Sequence, residues 1–161
     1  MRTRSRPRRV RVATNVPGLD TVLCGGFLRG GIYVVRGAPG SGKTMLGNQI
    51  CFANARRGGN SAYVTLLSES HARMMLHLES VRFFDPELVA EGRVRYLSAY
   101  GTLMKSGLRG VLDFIRAELP ERPRPRHGDS GSMLVIDGFL VISEASGSVT
   151  ELKKFIQDLQ V

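Results

Sequence analysis

Eight consecutive residues, Gly37-Ala38-Pro39-Gly40-Ser41-Gly42-Lys43-Thr44, satisfy the pattern G-x-x-x-x-G-K-[ST] in full. These residue types in this order suit one task, holding a chain of phosphates. Glycines let backbone N–H groups turn inward and approach phosphate oxygens with no Cβ in the way. Lys43 brings a point charge to the β- and γ-phosphates, and Thr44 offers a hydroxyl to Mg2+. A helix starting directly after the loop points its positive end at the same anion. A second element is Met133-Leu134-Val135-Ile136-Asp137, an apolar run ending in one carboxylate. Beside a phosphate loop such an aspartate holds Mg2+, usually through the ion's water shell. The third is Glu69, just past the apolar run at residues 62–67. A carboxylate there could orient and deprotonate the water that attacks a γ-phosphate, whereas Ser68-Glu69 would serve equally as a helix cap.

These groups need elements to carry them. Ile32-Tyr33-Val34-Val35, bounded by glycines, predicts a strand leading into the loop. Residues 41–57 read as a helix with Met45, Leu46, Ile50 and Ala53 on one face, stopped by Gly58-Gly59. Residues 62–67 predict a second strand, 70–81 a helix, and Asp85-Pro86 opens a short helix to Glu91. The alternation in residues 93–99 predicts a strand with one wet face, and helical spacing from Leu108 to Leu119 follows. Residues 120–132 form a Pro- and Arg-rich loop, 133–136 a last strand, and 149–159 a closing helix. A short helix over residues 19–23 fits between Pro17-Gly18 and Gly25-Gly26. Strands alternating with helices at this rhythm predict an α/β fold, a mostly parallel sheet with helices on both faces.

The chain of 161 residues has room for one domain, and 42% apolar content supplies a core. No stretch is long and apolar enough to span a membrane, and no apolar segment follows the basic start as a secretory signal requires. The net charge of +9 is concentrated: Arg2, Arg4, Arg6, Arg8, Arg9 and Arg11 precede the first acid, Asp20. Without those six, 17 basic residues face 14 acidic ones. Residues 1–12 are therefore expected to be a disordered basic arm, and 13–161 the folded domain. Such an arm could grip nucleic-acid phosphates, but an aromatic content of 7% leaves few stacking platforms. Cys24 and Cys51 read as minor core thiols in a reducing cytoplasm, and His71, His77 and His127 lack ligand spacing.

The order of these segments resembles the KaiC-like branch of the RecA-type ATPases. TNVPGLDTVLCGGFLRGG is similar to that family's lead-in, and it runs without a gap into IYVVRGAPGSGKT. AYVTLLSES resembles the strand ending in the family's catalytic glutamates, and MLVIDG its Walker B strand. Adenylate kinases share a similar loop, but there a Gly follows the Lys where this chain has Thr44. The resemblance, over residues 14–159, implies a RecA-like P-loop fold that binds ATP with Mg2+ and hydrolyses it. It puts the phosphates on Gly37 to Thr44 and the α-phosphate near the Met45 amide. Asp137 takes the metal-associated role and Glu69 the water-activating one.

The chain departs from the family pattern in four ways. Ser68 stands where a second glutamate is common, Gly138 where Ser or Thr is common, and Asn15 where Gly is. The family's later strands, one of which lies between the Walker A and Walker B strands, have no counterpart after the single helix that follows Asp137. The centre of the sheet is then expected to be closed by the chain itself, by a strand from a second copy or partner chain, or only in a longer protein of which this is a fragment. The competing functions are a non-hydrolysing, nucleotide-dependent interaction module and a recombinase-like factor holding nucleic acid through the arm and the 122–126 arginines.

Overall fold

β-Branched runs separated by helices can pair in parallel only through crossovers, and the chain builds its sheet that way. The computed structural model describes residues 10–68, 71–119 and 131–160. Its main sheet has three strands, β3 (Asn60–Thr65), β4 (Val94–Ser98) and β5 (Ser132–Asp137). They lie in the order β4-β3-β5, all parallel. The helices are α1 (Leu19–Val22), α2 (Lys43–Arg56), α3 (His71–Glu79), α4 (Pro86–Ala90), α5 (Tyr100–Glu118), α6 (Phe139–Ala145) and α7 (Val149–Asp158). Two short strands, β1 (Arg11–Val12) and β2 (Phe27–Leu28), pair antiparallel beside the sheet.

Side chains alternate across a strand, so each face of the sheet collects its own core. Val64, Leu97, Leu134 and Ile136 belong to the cluster with Leu108 and Val111 of α5, Ile142 of α6 and Phe155 of α7. Tyr63, Val94, Tyr96 and Val135 belong to the other, with Cys51, Phe52 and Ala55 of α2, Met74 of α3 and Leu88 of α4. Helices therefore cover both faces, and α2, which carries the glycine loop, lies on the second. Asn54 ties the far end of α2 to the sheet by donating to the carbonyls of Asn60 and Gly131 and to the Ser61 hydroxyl.

Burial under α2 sets the chemistry of Cys51. Its thiol is fully buried, and that desolvation pushes it up to about 12, whereas Cys24, expected in the core, is exposed in the turn after α1. At pH 8 a thiol reagent is expected to modify one cysteine per folded chain quickly and the second only in denaturant. Two fast thiols would show that α2 lifts freely off the sheet.

Four further expectations change. Residues 32–35 have no strand partner among the described residues, and Ile32, Tyr33, Val34 and Val35 are 41, 41, 61 and 50% exposed. A strand is a paired object, so β-propensity alone does not make one. β5 is correspondingly an edge, paired on one side by β3. The basic arm loses its last residues: Arg11 and Val12 form β1, and the Arg11 guanidinium donates to the carbonyls of Leu23 and Gly26. Residues 1–9 lie outside the described residues, as does the Pro- and Arg-rich segment from Pro120 to residue 130. Helix α5 starts at Tyr100, well before the apolar repeat, and breaks at Gly107 (φ 62°) into two pieces. Helix α6 was not anticipated from its β-branched sequence FLVISEA.

The lead-in is organised by Asp20. Its carboxylate accepts from the Thr14 amide and hydroxyl, both at 2.7 Å, and from the Asn15 amide at 3.0 Å. Burial opposes the charge, but these hydrogen bonds and nearby Arg57 outweigh it and hold the carboxyl below its ordinary value. Asn15 adopts φ 54°, a left-handed conformation that Asn tolerates where the family pattern has Gly. Among the described residues no helix is long and apolar enough to cross a membrane.

Candidate functional site

The glycine loop is exposed and its geometry depends on its glycines. A Cβ on Gly37 would lie 2.5 Å from the Ser41 hydroxyl oxygen, and Gly40 and Gly42 have φ of 76° and 83°. Gly42 caps α2, whose first-turn amides lack partners within the helix. Lys43 folds back over the loop. Its ammonium donates to the carbonyls of Gly37 at 2.9 Å and Ala38 at 2.8 Å, with the Ser41 hydroxyl at 3.5 Å. An arriving phosphate would meet a cation already held at the loop.

The strand-end aspartate meets the loop's threonine. Thr44 Oγ1 donates to Asp137 Oδ2 at 3.0 Å, joining residues 93 positions apart. The contact exists because β5 ends level with β3, with Thr65 opposite Asp137, and the Leu66 amide donates to the Asp137 carbonyl at 2.9 Å. Gly138 follows at φ 107°, and a Cβ there would approach that of Leu66 to 3.2 Å. The close chain crossing accounts for glycine where the family pattern has a hydroxyl side chain. The oxygens of Thr44 and Asp137 are hard donors of the kind that suit Mg2+. Among the described residues no cluster of three or more His, Cys, Asp or Glu could hold a metal. Thr44 and Asp137 would therefore share an ion with phosphate and water oxygens.

Beside this pair opens a cavity of ≈ 270 Å3, bordered by Thr44, Met45, Tyr63, Leu67, His71 and Asp137. A larger hollow at Val10, Leu28 and Gly30 has Arg29 as its one charged lining residue, so the chemistry concentrates in the smaller one. Glu69 lies outside the described residues, and Ser68 before it is exposed. His71 follows at the start of α3; its Nε2 is buried with no partner, and desolvation lowers its pKa, favouring the neutral ring.

Three site residues escaped sequence analysis. The Tyr63 hydroxyl donates to Asp137 Oδ2 at 2.7 Å, the same oxygen that accepts from Thr44. The Tyr96 hydroxyl donates to Asn48 Oδ1 at 2.7 Å, and Asn48 Nδ2 donates to the Thr44 carbonyl at 2.8 Å. Burial pushes both phenols well above their ordinary value, and for Tyr63 the Asp137 carboxylate adds to the effect. The available signal was positional: Asn48 sits one helical turn after Thr44, and Tyr63 alternates with Val64 toward α2.

A parallel strand order, helices on both faces and a glycine loop feeding α2 make this an α/β domain of RecA-like architecture. The chain belongs to the KaiC ATPase family: a family model described as "ATPase: KaiC" matches residues 12–105, more than half its length. It is 30% identical over 121 residues to the circadian clock oscillator protein KaiC of Prochlorococcus marinus, covering 75% of this chain and 24% of that protein. Similarity to the KaiC of Thermostichus vulcanus is 31% over 121 residues, 75% of this chain and 23% of that protein. A UPF0273 protein of Methanopyrus kandleri is 31% identical over 90 residues, 56% of this chain and 35% of that protein. The chain thus spans about a quarter of the KaiC relatives' length. Membership makes it a nucleotide-binding domain of an ATPase family.

Proposed function

We propose that the domain binds ATP with Mg2+ through residues 37–44 and hydrolyses its γ-phosphate. The observation that carries this is the Thr44–Asp137 hydrogen bond, which puts a hydroxyl and a carboxylate beside a loop already holding the Lys43 ammonium. Loop amides from Gly37 to Thr44 bind the phosphates, and the Met45 amide lies toward the α-phosphate. Lys43 exchanges its carbonyl partners for β- and γ-phosphate oxygens. Thr44 and Asp137 would hold Mg2+, directly or through its water shell, and the ion would supply positive charge to the phosphates. Glu69 takes a proton from a water as that water attacks the γ-phosphorus and the bond to the β-phosphate's bridging oxygen breaks, leaving ADP and phosphate.

A second copy or a partner chain supplies a strand between β5 and residues 32–35, where one sheet edge and one apolar run both lack a partner among the described residues. The compartment we propose is the cytoplasm. The nucleic-acid alternative gains no support from Arg11, whose guanidinium is engaged with the Leu23 and Gly26 carbonyls.

Equilibrium binding of ATP, with and without Mg2+ and with oligomer size read in parallel, tests the reading. Mg2+ is expected to tighten binding, and a folded chain that binds no ATP would overturn it. Glu69→Gln should then stop phosphate release while leaving binding in place. Equal turnover in both proteins would remove Glu69 from the chemistry, and no turnover in either would favour the non-hydrolysing module.

A further inference from the structure

The parallel register sets Tyr63 of β3 directly beside Tyr96 of β4, with ring centroids 5.8 Å apart. Both rings lie in the α2-side cluster, and Tyr63 is 1% exposed. Phenylalanine would fill the same space, so packing does not account for two hydroxyls there. What they do is visible in where they lead. The Tyr63 hydroxyl ends on Asp137 Oδ2, and the Tyr96 hydroxyl reaches the Thr44 carbonyl through the Asn48 amide. Thr44 and Asp137 are also bonded to each other. The side chains of Tyr63 and Thr44 converge on one carboxylate oxygen, which fixes the rotation of the carboxylate about its own bond. Asn48 meanwhile holds the first turn of α2 at a set height above the sheet.

We propose that Tyr63 and Tyr96 are positioning residues that hold Asp137 and Thr44 in the arrangement that receives Mg2+ with the nucleotide. The proposal deepens the ATP–Mg2+ reading above and rests on it. Neither tyrosine is assigned contact with phosphate, so the two should affect the metal-dependent part of binding and spare the rest.

The test is the coupling ratio, the factor by which saturating Mg2+ tightens ATP binding, measured by calorimetry on the full chain, with Tm recorded in chelator. Tyr63→Phe removes a hydrogen bond to a charged group and is expected to cut that ratio about tenfold or more. Its Mg2+-free ATP affinity should stay within about twofold, since no phosphate-binding group is altered. Tyr96→Phe acts through Asn48 and should cut the ratio by a smaller factor, about threefold. A merely structural role would lower Tm in both variants and leave the ratio at the wild-type value, which would overturn the proposal. If Tyr63→Phe does not fold, Tyr96→Phe decides the matter, an unchanged ratio overturning the proposal and a reduced one supporting it. A wild type that binds ATP without any Mg2+ coupling would overturn the underlying metal reading and the positioning role together. Wild-type coupling kept in the variants would overturn the positioning role alone.

Discussion

Lys43→Ala is expected to lower ATP affinity by about a hundredfold while leaving the far-UV circular dichroism unchanged. A hydrogen bond to a charged group contributes about 1.5–3 kcal/mol, and each 1.4 kcal/mol is a factor of about ten in affinity. A lysine reaching two phosphates is therefore worth more than a factor of a hundred before subtraction. The subtraction is the pair of bonds to the Gly37 and Ala38 carbonyls, which the ammonium must give up on binding. Those carbonyls belong to exposed residues that water can solvate, so giving them up costs little. The fold is expected to survive because the hydrogen bonds of the Lys43 ammonium go to the loop's own oxygens. Calorimetric titration with MgATP is the measurement, and an affinity within about threefold of wild type would remove Lys43 from the site.

Phe52→Ala has the largest expected effect on stability, about 3–5 kcal/mol, out of a total of about 5–15 for a domain of ordinary stability. Phe52 is fully buried, meets Phe84 edge-on at 5.4 Å between ring centroids and lies 6.1 Å from Phe83. Removing the ring leaves a cavity between α2 and the turn before α4. The urea midpoint should fall sharply, read by circular dichroism. ATP affinity should fall as well, because Phe52 anchors the helix whose other end carries Lys43 and Thr44. A shift smaller than about 1 kcal/mol would mean that the site relaxes into the gap, contrary to the packing described.

Much of this was legible from residue order. The glycine loop, α2, β3, β4, β5 and α7 follow from period and punctuation, and the two motifs put Thr44 and Asp137 at the same end of the sheet, though they do not give the direct hydrogen bond. The misses have separate physical causes. Ile32-Tyr33-Val34-Val35 has every local preference of a strand, yet a ladder needs a neighbour, and no local property can report one. The first piece of α5 buries Leu103 but shows no sustained apolar repeat, so the helical signal begins only after Gly107. In α6, β-branched residues favour extended chain, and Gly138 together with packing of Ile142 overrides them. Tyr63 was hidden for another reason: in a hydrophobic count it is one more apolar residue, and its hydroxyl matters only once the pairing of β3 with β5 brings it within hydrogen-bonding distance of Asp137.

The free edge of β5 and the bare run at residues 32–35 carry a further consequence, for colloidal behaviour. Four consecutive residues of high β-propensity, without charge or proline and largely in water, form a short template on which identical chains can stack. Arg36 directly after the run is the one gatekeeper at that end, and Gly31 before it adds no charge. Helices cover the faces of the main sheet, and among the described residues its open edges, β4 and β5, lie along the hydrogen-bonding axis of the strands. A nucleotide seated in the loop would not cover that axis, because the phosphates lie at the strands' ends and the hazard runs along their sides.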